Sequence, residues 1–446
     1  MWTVAQLAAD LDRGRTTSRE LVEQALAKIN DPSGEGKRAF IQVYAESARA
    51  AADYSDQLRK KGVRRSPVDG LPVSLKDLFD VAGDVTRAGS KILASQPPAN
   101  TDAGAVARLR AAGAVLVGRT NMVEFAFGGV GLNPHYGTPK NPYDRKTGRV
   151  PGGSSSGAAV AQADGMCVMA LGTDTRGSIR GPSALCGVVG FKPTARRVPK
   201  DGAFPLSFDL DSVGPLANSV ACCAAYDAVL SGEPGGWPAV PVQMLRLLLP
   251  LSSALEDLDP QVSKAFESAL ARLSKAGAMI AKVPVPAFNR QAEYFKGGGF
   301  AGAESYYIHR DRLDRLGEYD PRVGRRIVLG KDLSGADYVA LGFLRREFQA
   351  EIEALATPFD AIVMPTAPCI APTIAEADKS DEDYFRWNAR ILRNNGLVNF
   401  LDGCAVSLPC HEPGAAPVGL TICGMGGSDR RLLAVAAAIE KALARD

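Results

Sequence analysis

Histidine is scarce in this chain: His135, His309 and His411 are the only three among 446 residues. His135 lies in the loop-like run Asn133-Pro134-His135-Tyr136, His309 in a polar helical pattern, and His411 between Cys410 and Glu412. None ends a run that reads as a core strand, so a Ser-His-Asp arrangement has little support. Long apolar runs are missing as well. Stretches 157–163 and 245–251 are too short or too interrupted to span a bilayer, and residues 1–11 lack the basic start and apolar run of a signal peptide. Charge of one sign is not in excess. A formal net charge of +3 gives no broad electrostatic case for nucleic acid, and the basic groups Arg59-Lys60-Lys61 and Arg322, Arg325 and Arg326 read as solvated faces. The eight cysteines are scattered, no pair has metal-ligand spacing, and Cys222 adjoins Cys223, which suits buried thiols better than a disulfide framework. These absences point to a soluble, cytoplasmic, metal-free protein.

What is present is an ordinary globular composition, 46% hydrophobic and 23% charged. Residues 1–60 read as helices, with Thr3 before one periodic run and Ser18 opening a second amphipathic stripe. The run Leu71-Pro72-Val73-Ser74-Leu75-Lys76 reads as a short apolar strand ending in a lysine. From there helix and strand alternate to about residue 230, which predicts a mostly parallel sheet covered on both faces. Residues from about 240 to 355 turn helical and more polar, with a strand near 279–283. Strand patterns return at 361–366 and 418–423, and a closing helix spans 430–444. With no repeat and no low-complexity linker, the expectation is one α/β domain over 1–446 with a mainly helical insertion at about 240–355.

The most unusual segment is 151–194. It holds Gly152-Gly153-Ser154-Ser155-Ser156-Gly157, a small-residue helix, a strand, and the turn Gly172-Thr173-Asp174-Thr175-Arg176-Gly177-Ser178. Glycine allows positive φ, and successive N–H groups in such turns form an anion-binding nest. A nest beside a serine hydroxyl is what acyl transfer requires: the serine attacks a carbonyl and the donors hold the oxyanion. No G-x-x-x-x-G-K-[ST] run is present, which speaks against a phosphate loop. The competing reading is a pair of purely structural turns. A base is also needed, and burial can make a lysine one by disfavouring its ammonium form. On the residues alone, Lys76 reads equally as a buried base and as a solvated lysine at a strand end.

GGSSSG, GTDTRGSIR and GFKPT, with the upstream SLKD, resemble the amidase signature family of Ser–cis-Ser–Lys hydrolases. The resemblance runs over essentially the whole chain, through AGSKI, GRTNMVEFAFGG, YGTPKNP, MPTAP, RNNGLVNF and VGLTICG. The AGSKI and HYG stretches resemble those of carboxybiuret-hydrolase-like bacterial members, and the overall pattern is also similar to the glutaminase subunit of tRNA-dependent amidotransferases. The resemblance implies a single-domain α/β/α sandwich on a large mixed β-sheet and no cofactor. It also implies a small-molecule amide substrate, a homodimer and, as a further partner, a small accessory subunit.

By position, Lys76 resembles the family's catalytic lysine, Ser154 the bridging serine in a cis peptide bond, and Ser178 the nucleophile. The same resemblance makes the N–H groups of Thr175, Arg176, Gly177 and Ser178 the oxyanion hole, gives Ser155 a supporting bond to Lys76, and makes Asp174 and Arg180 braces of the loop. Phe125, Ala126, Phe127 and Gly128 match a stretch that lines the acyl pocket in relatives, with core packing as the alternative for each phenylalanine.

One residue departs from the pattern: Arg176 stands where the family usually has glycine or another small residue. Three readings compete: a side chain in the substrate pocket pairing with a carboxylate or carbonyl, an outward brace, and a block on the oxyanion hole. The first favours a small acidic or carbamoyl-type substrate. The functions expected are therefore a stand-alone amidase, an ammonia-supplying glutaminase subunit, or an inactive binding homologue.

Overall fold

A computed structural model describes residues 3–444. The expectations for the first residues and for a domain over 1–446 take in Met1, Trp2, Arg445 and Asp446, which lie outside the described residues. Local chemistry explains the helices at the start. Thr3 accepts from the Gln6 N–H to cap Val4–Asp12, and Thr17 with Glu20 forms a reciprocal capping box that opens Ser18–Asn30. The apolar stripe of the second helix, Leu21, Val22, Ala25, Leu26 and Ile29, is buried.

Eleven strands form one sheet among the described residues. They are β1 (Phe40–Val43), β2 (Pro72–Lys76), β3 (Val115–Thr120), β4 (Met169–Asp174), β5 (Val189–Lys192) and β6 (Ser212–Ala217), followed by β7 (Arg246–Leu251), β8 (Met279–Pro284), β9 (Ala361–Pro365), β10 (Cys404–Pro409) and β11 (Gly419–Gly424). Their order is β1-β3-β2-β4-β6-β5-β10-β11-β9-β7-β8. Strands β2, β3 and β4 are buried along their whole length, as strands covered on both faces must be. The chain is thus an α/β sandwich on one large mixed sheet.

Two expectations need correction. The sheet is not mostly parallel. Only β2/β3, β2/β4, β7/β8 and β7/β9 run parallel. The pairs β1/β3, β4/β6, β5/β6, β5/β10, β10/β11 and β9/β11 are antiparallel. Parallel neighbours need a long crossover, whereas loops such as those joining β5 to β6 and β10 to β11 let the chain reverse directly. The edge strand β1 also interrupts the opening helices. The stretch at about 240–355 is not purely an insertion, because it contributes β7 and β8 to the far side of the sheet. The helix Pro260–Lys275 joins those two strands, and a helical run from the turn Pro286–Asn289 to the long helix Gly335–Ala356 follows them. Among the described residues no helix is long and apolar enough to cross a membrane.

Candidate active site

Lys76 is the last residue of β2 and has no exposed surface. Its Nζ lies 2.7 Å from Ser154 Oγ and 2.9 Å from Thr173 Oγ1. Thr173 sits near the end of β4, which pairs with β2 in parallel register (Leu75 with Leu171), so two strand ends bring amine and hydroxyl together. No carboxylate lies within ion-pair distance of the amine among the described residues. Burial pushes Lys76 down to about 7, against the weaker opposing fields of Asp211 and Asp174. The solvated reading of this lysine is therefore excluded.

Ser154 follows a cis peptide bond from Gly153, as the resemblance implies. The neighbouring loop grips this unit from both ends. Val123 N–H donates to Ser154 O at 3.0 Å, and Gly153 N–H donates to Gly129 O at 2.8 Å. The helix Ser156–Ala163 starts directly behind it and is buried from Ser156 to Gln162. Its small residues permit this: a Cβ on Gly157 would stand 2.3 Å from Ala39 O.

Ser178 lies in the turn after β4 and is almost fully buried. It is held beside the serine run by Ser155 N–H, which donates to Ser178 O at 3.3 Å. Asp174 organises the turn. Its carboxylate accepts from the N–H groups of Gly177 and Ile179, from the Arg180 guanidinium and from Asn399. Burial works to raise the Asp174 carboxyl, yet Arg180, Lys192 and Asn399 hold it well below the ordinary carboxylate range. Asp174 and Arg180 thus act as braces. Gly177 has φ +114°, and a Cβ there would stand 2.3 Å from Asn395 Cβ, so only glycine fits.

Of the four N–H groups assigned to an oxyanion hole, that of Gly177 is committed to Asp174 at 2.7 Å. Those of Thr175, Arg176 and Ser178 make no hydrogen bond among the described residues. Ser155 also differs from expectation. Its Oγ points to Thr173 O at 3.5 Å, and Thr173 Oγ1, which sequence reasoning missed, supports the lysine instead. The Thr175 hydroxyl donates to Asp211, another residue not anticipated.

The 125–128 stretch is buried. Phe125 and Ala126 take positive φ, and the Phe125 ring packs with Phe204, His309 and Tyr319, its centroid 4.3 Å from that of His309. This matches the core-packing alternative for Phe125. Phe127 lies beneath Arg326, whose Cζ is 4.2 Å from the ring centroid and whose Nη1 donates to Phe127 O at 2.7 Å. A Cβ on Gly128 would meet Tyr384, Val123 and, at 3.8 Å, Arg326. The basic group at 322–326 is therefore not one solvated face. Arg322 and Arg325 pair with acids at the surface, Asp381 being shared, while Arg326 turns inward. The Arg176 guanidinium lies over Phe295, Cζ to centroid 3.7 Å.

The three imidazoles are occupied elsewhere. His135 contacts Glu124, His309 contacts Tyr319, and His411 accepts from Val418 N–H. His309 lies in a buried aromatic cluster, where a polar helix was expected. The eight cysteines are free thiols.

The chain is similar to known proteins over most of its length. The Amidase family model matches residues 20–433. The chain is 37% identical over 444 residues to 2-amino-5-chloromuconic acid deaminase of Comamonas testosteroni, covering 98% of this chain and 95% of that one. It is 38% identical over 376 residues to the AtzE subunit of 1-carboxybiuret hydrolase from Pseudomonas sp. strain ADP, covering 81% and 80%. Among solved structures, the peptide amidase of Stenotrophomonas maltophilia superposes with a TM-score of 0.80 at 28% identity, covering 98% of this chain and 96% of the other. The chain belongs to the amidase family, whose members hydrolyse amide bonds.

Proposed function

We propose that this chain cleaves the C–N bond of a small amide or carbamoyl compound through an acyl-enzyme on Ser178. The observation that carries this reading is the 2.7 Å contact between Lys76 Nζ and Ser154 Oγ in a place with no exposed surface. Ser178 Oγ attacks the carbonyl carbon and passes its proton to Ser154, whose own proton moves to the neutral amine of Lys76. The N–H groups of Thr175, Arg176 and Ser178 receive the oxyanion, and losing one such donor raises the barrier by about 2.7–4 kcal/mol. When the C–N bond breaks, the relay runs backwards and protonates the departing nitrogen. Water then attacks the ester with the same relay as base, freeing the acid and regenerating Ser178.

We take the chain as one amidase unit, with the mainly helical run at about 240–355 forming one wall of the site. The free cysteines support a reducing, cytoplasmic setting. A homodimer, with or without a small accessory subunit, completes the reading and is checked by light scattering.

The relatives named for chloromuconic acid and carboxybiuret support a small substrate. A second reading, the glutaminase subunit of an amidotransferase, is favoured by 33% identity to a glutamyl-tRNA(Gln) amidotransferase subunit of Chloroflexus aurantiacus. Ammonia release from glutamine only with partner proteins present would select it. An inactive binding homologue draws little support, because the Arg176 side chain rests on Phe295 and leaves its own N–H open. The test is ammonia release over a panel of small amides, ureas and carbamoyl compounds, with a serine-reactive probe. Labelling and turnover should both vanish in Ser178→Ala; turnover surviving in that variant would refute the nucleophile.

A further inference from the structure

Two arginines on the segments that carry the reaction centre come close enough to influence each other, and neither has a carboxylate partner. Arg176 is two residues before Ser178 on the turn that carries the open N–H groups. Arg326 comes from the helix Pro321–Leu329 and is anchored on Phe127 O, in the loop whose Val123 and Gly129 hold Ser154 and Gly153. Among the described residues neither guanidinium lies within 4.0 Å of an acid. The fully buried arginines Arg119 and Arg180, by contrast, are each paired with an acid. Asp320, whose field acts on Arg326, is engaged in capping the helix through Arg322 N–H.

The two cations also feel each other. Burial first, and the charge of Arg326 second, push Arg176 down to about 9. Arg176 Nε is buried without a hydrogen-bond partner. Its position is built: the plane stacks on Phe295, and Gly396 leaves room for it, since a Cβ there would stand 3.0 Å from Phe295 and 3.3 Å from Arg176 Nε. Phe127 does the same for Arg326. Rings fix both guanidiniums in orientation without neutralising them. Unneutralised cations held in a partly desolvated place favour an incoming anion, and the planar fork of arginine suits a carboxylate.

We propose that Arg176 and Arg326 together receive a carboxylate on the substrate, so that the preferred substrates are small amides that also carry a free carboxylate on the acyl side of the scissile bond. The proposal rests on the reading of Ser178 as nucleophile, because that residue fixes which end of the ligand lies between the two arginines. The carboxylate does not react. It anchors the acyl group while the amide nitrogen points away from the pair, and a longer neutral acyl chain would leave two half-buried cations uncompensated.

The test separates binding from turnover. In the Ser178→Ala protein, titration calorimetry with succinamic acid and with its methyl ester measures recognition without hydrolysis. Succinamic acid is expected to bind about ten- to a hundredfold more tightly, the range for a charge-assisted hydrogen bond. Arg176→Gly and Arg326→Gln should each remove most of that preference, and Arg176→Lys should keep part of it. In the wild-type enzyme the same acid-to-ester ratio should appear in kcat/KM, carried mainly by KM. Equal affinity for acid and ester, or a preference untouched in Arg176→Gly, would overturn the proposal even if both amides were hydrolysed. Turnover surviving Ser178→Ala would instead strike the underlying reading, leaving the calorimetric comparison to decide the arginine pair.

Discussion

An ammonium ion is a poor base, so the charge of Lys76 decides when the site can work. Burial places its titration near pH 7, and kcat/KM should climb with pH through about 7 and level off above it. Stability follows with a defined sign. Between about 7 and 10.5 the unfolded chain binds a proton that the folded chain refuses, so stability rises with pH across that window, and below it the buried amine weighs fully against folding. Lys76→Met should therefore be inactive yet more stable than wild type at neutral pH, with the gap closing towards pH 10.5; melting curves at several pH values check this. Thr173→Val removes an acceptor of the amine while keeping the shape. A lost hydrogen bond of about 1–1.5 kcal/mol lowers the rate roughly tenfold, and because that bond favours the ammonium form, the acid limb of the pH profile should move to lower pH.

At the scale of elements, the geometry comes from the ends of two parallel strands and from two turns that follow them. The turns were legible in the sequence because their chemistry is local: glycine supplies the backbone angles, and the run Ser154, Ser155, Ser156 beside them breaks any apolar pattern although it is fully buried. Thr173 was not legible as a partner of the lysine. Its role depends on the register between β2 and β4, and nothing within either segment states that register. Strand direction was hidden for a similar reason, since a helix between two strands allows a parallel pair but does not require their adjacency. Gly177 tests the turn itself. Gly177→Ala introduces a strained φ and a contact with Asn395, each worth about 1–3 kcal/mol, and should lower both the melting temperature and the rate of Ser178 labelling.

Across the whole molecule, the helical segment after β8 folds back over the serine turns and brings Arg326, His309 and Tyr319 to residues 125–128. Sequence patterning could not announce this, because the meeting joins segments nearly two hundred positions apart. It placed Arg326 on a solvated face and His309 in a polar helix, since a lone polar residue in such a pattern gives no sign of which neighbour will cover it. His309 makes the closure measurable. Burial, with Arg312, pushes its titration from 6.5 down to about 4. As pH falls through that window the unfolded chain gains a proton first, so stability is full above about 6.5 and is lost progressively towards 4. His309→Phe keeps an aromatic ring in the cluster and should flatten that dependence in thermal melts.

The sealed position of Lys76 has a consequence for hydrogen bookkeeping. An amine walled off from water exchanges its hydrogens only through the hydroxyls it touches, so the attacking serine's hydrogen is passed inward rather than to solvent. The hydrogen taken from the attacking serine is then the one the departing nitrogen carries away.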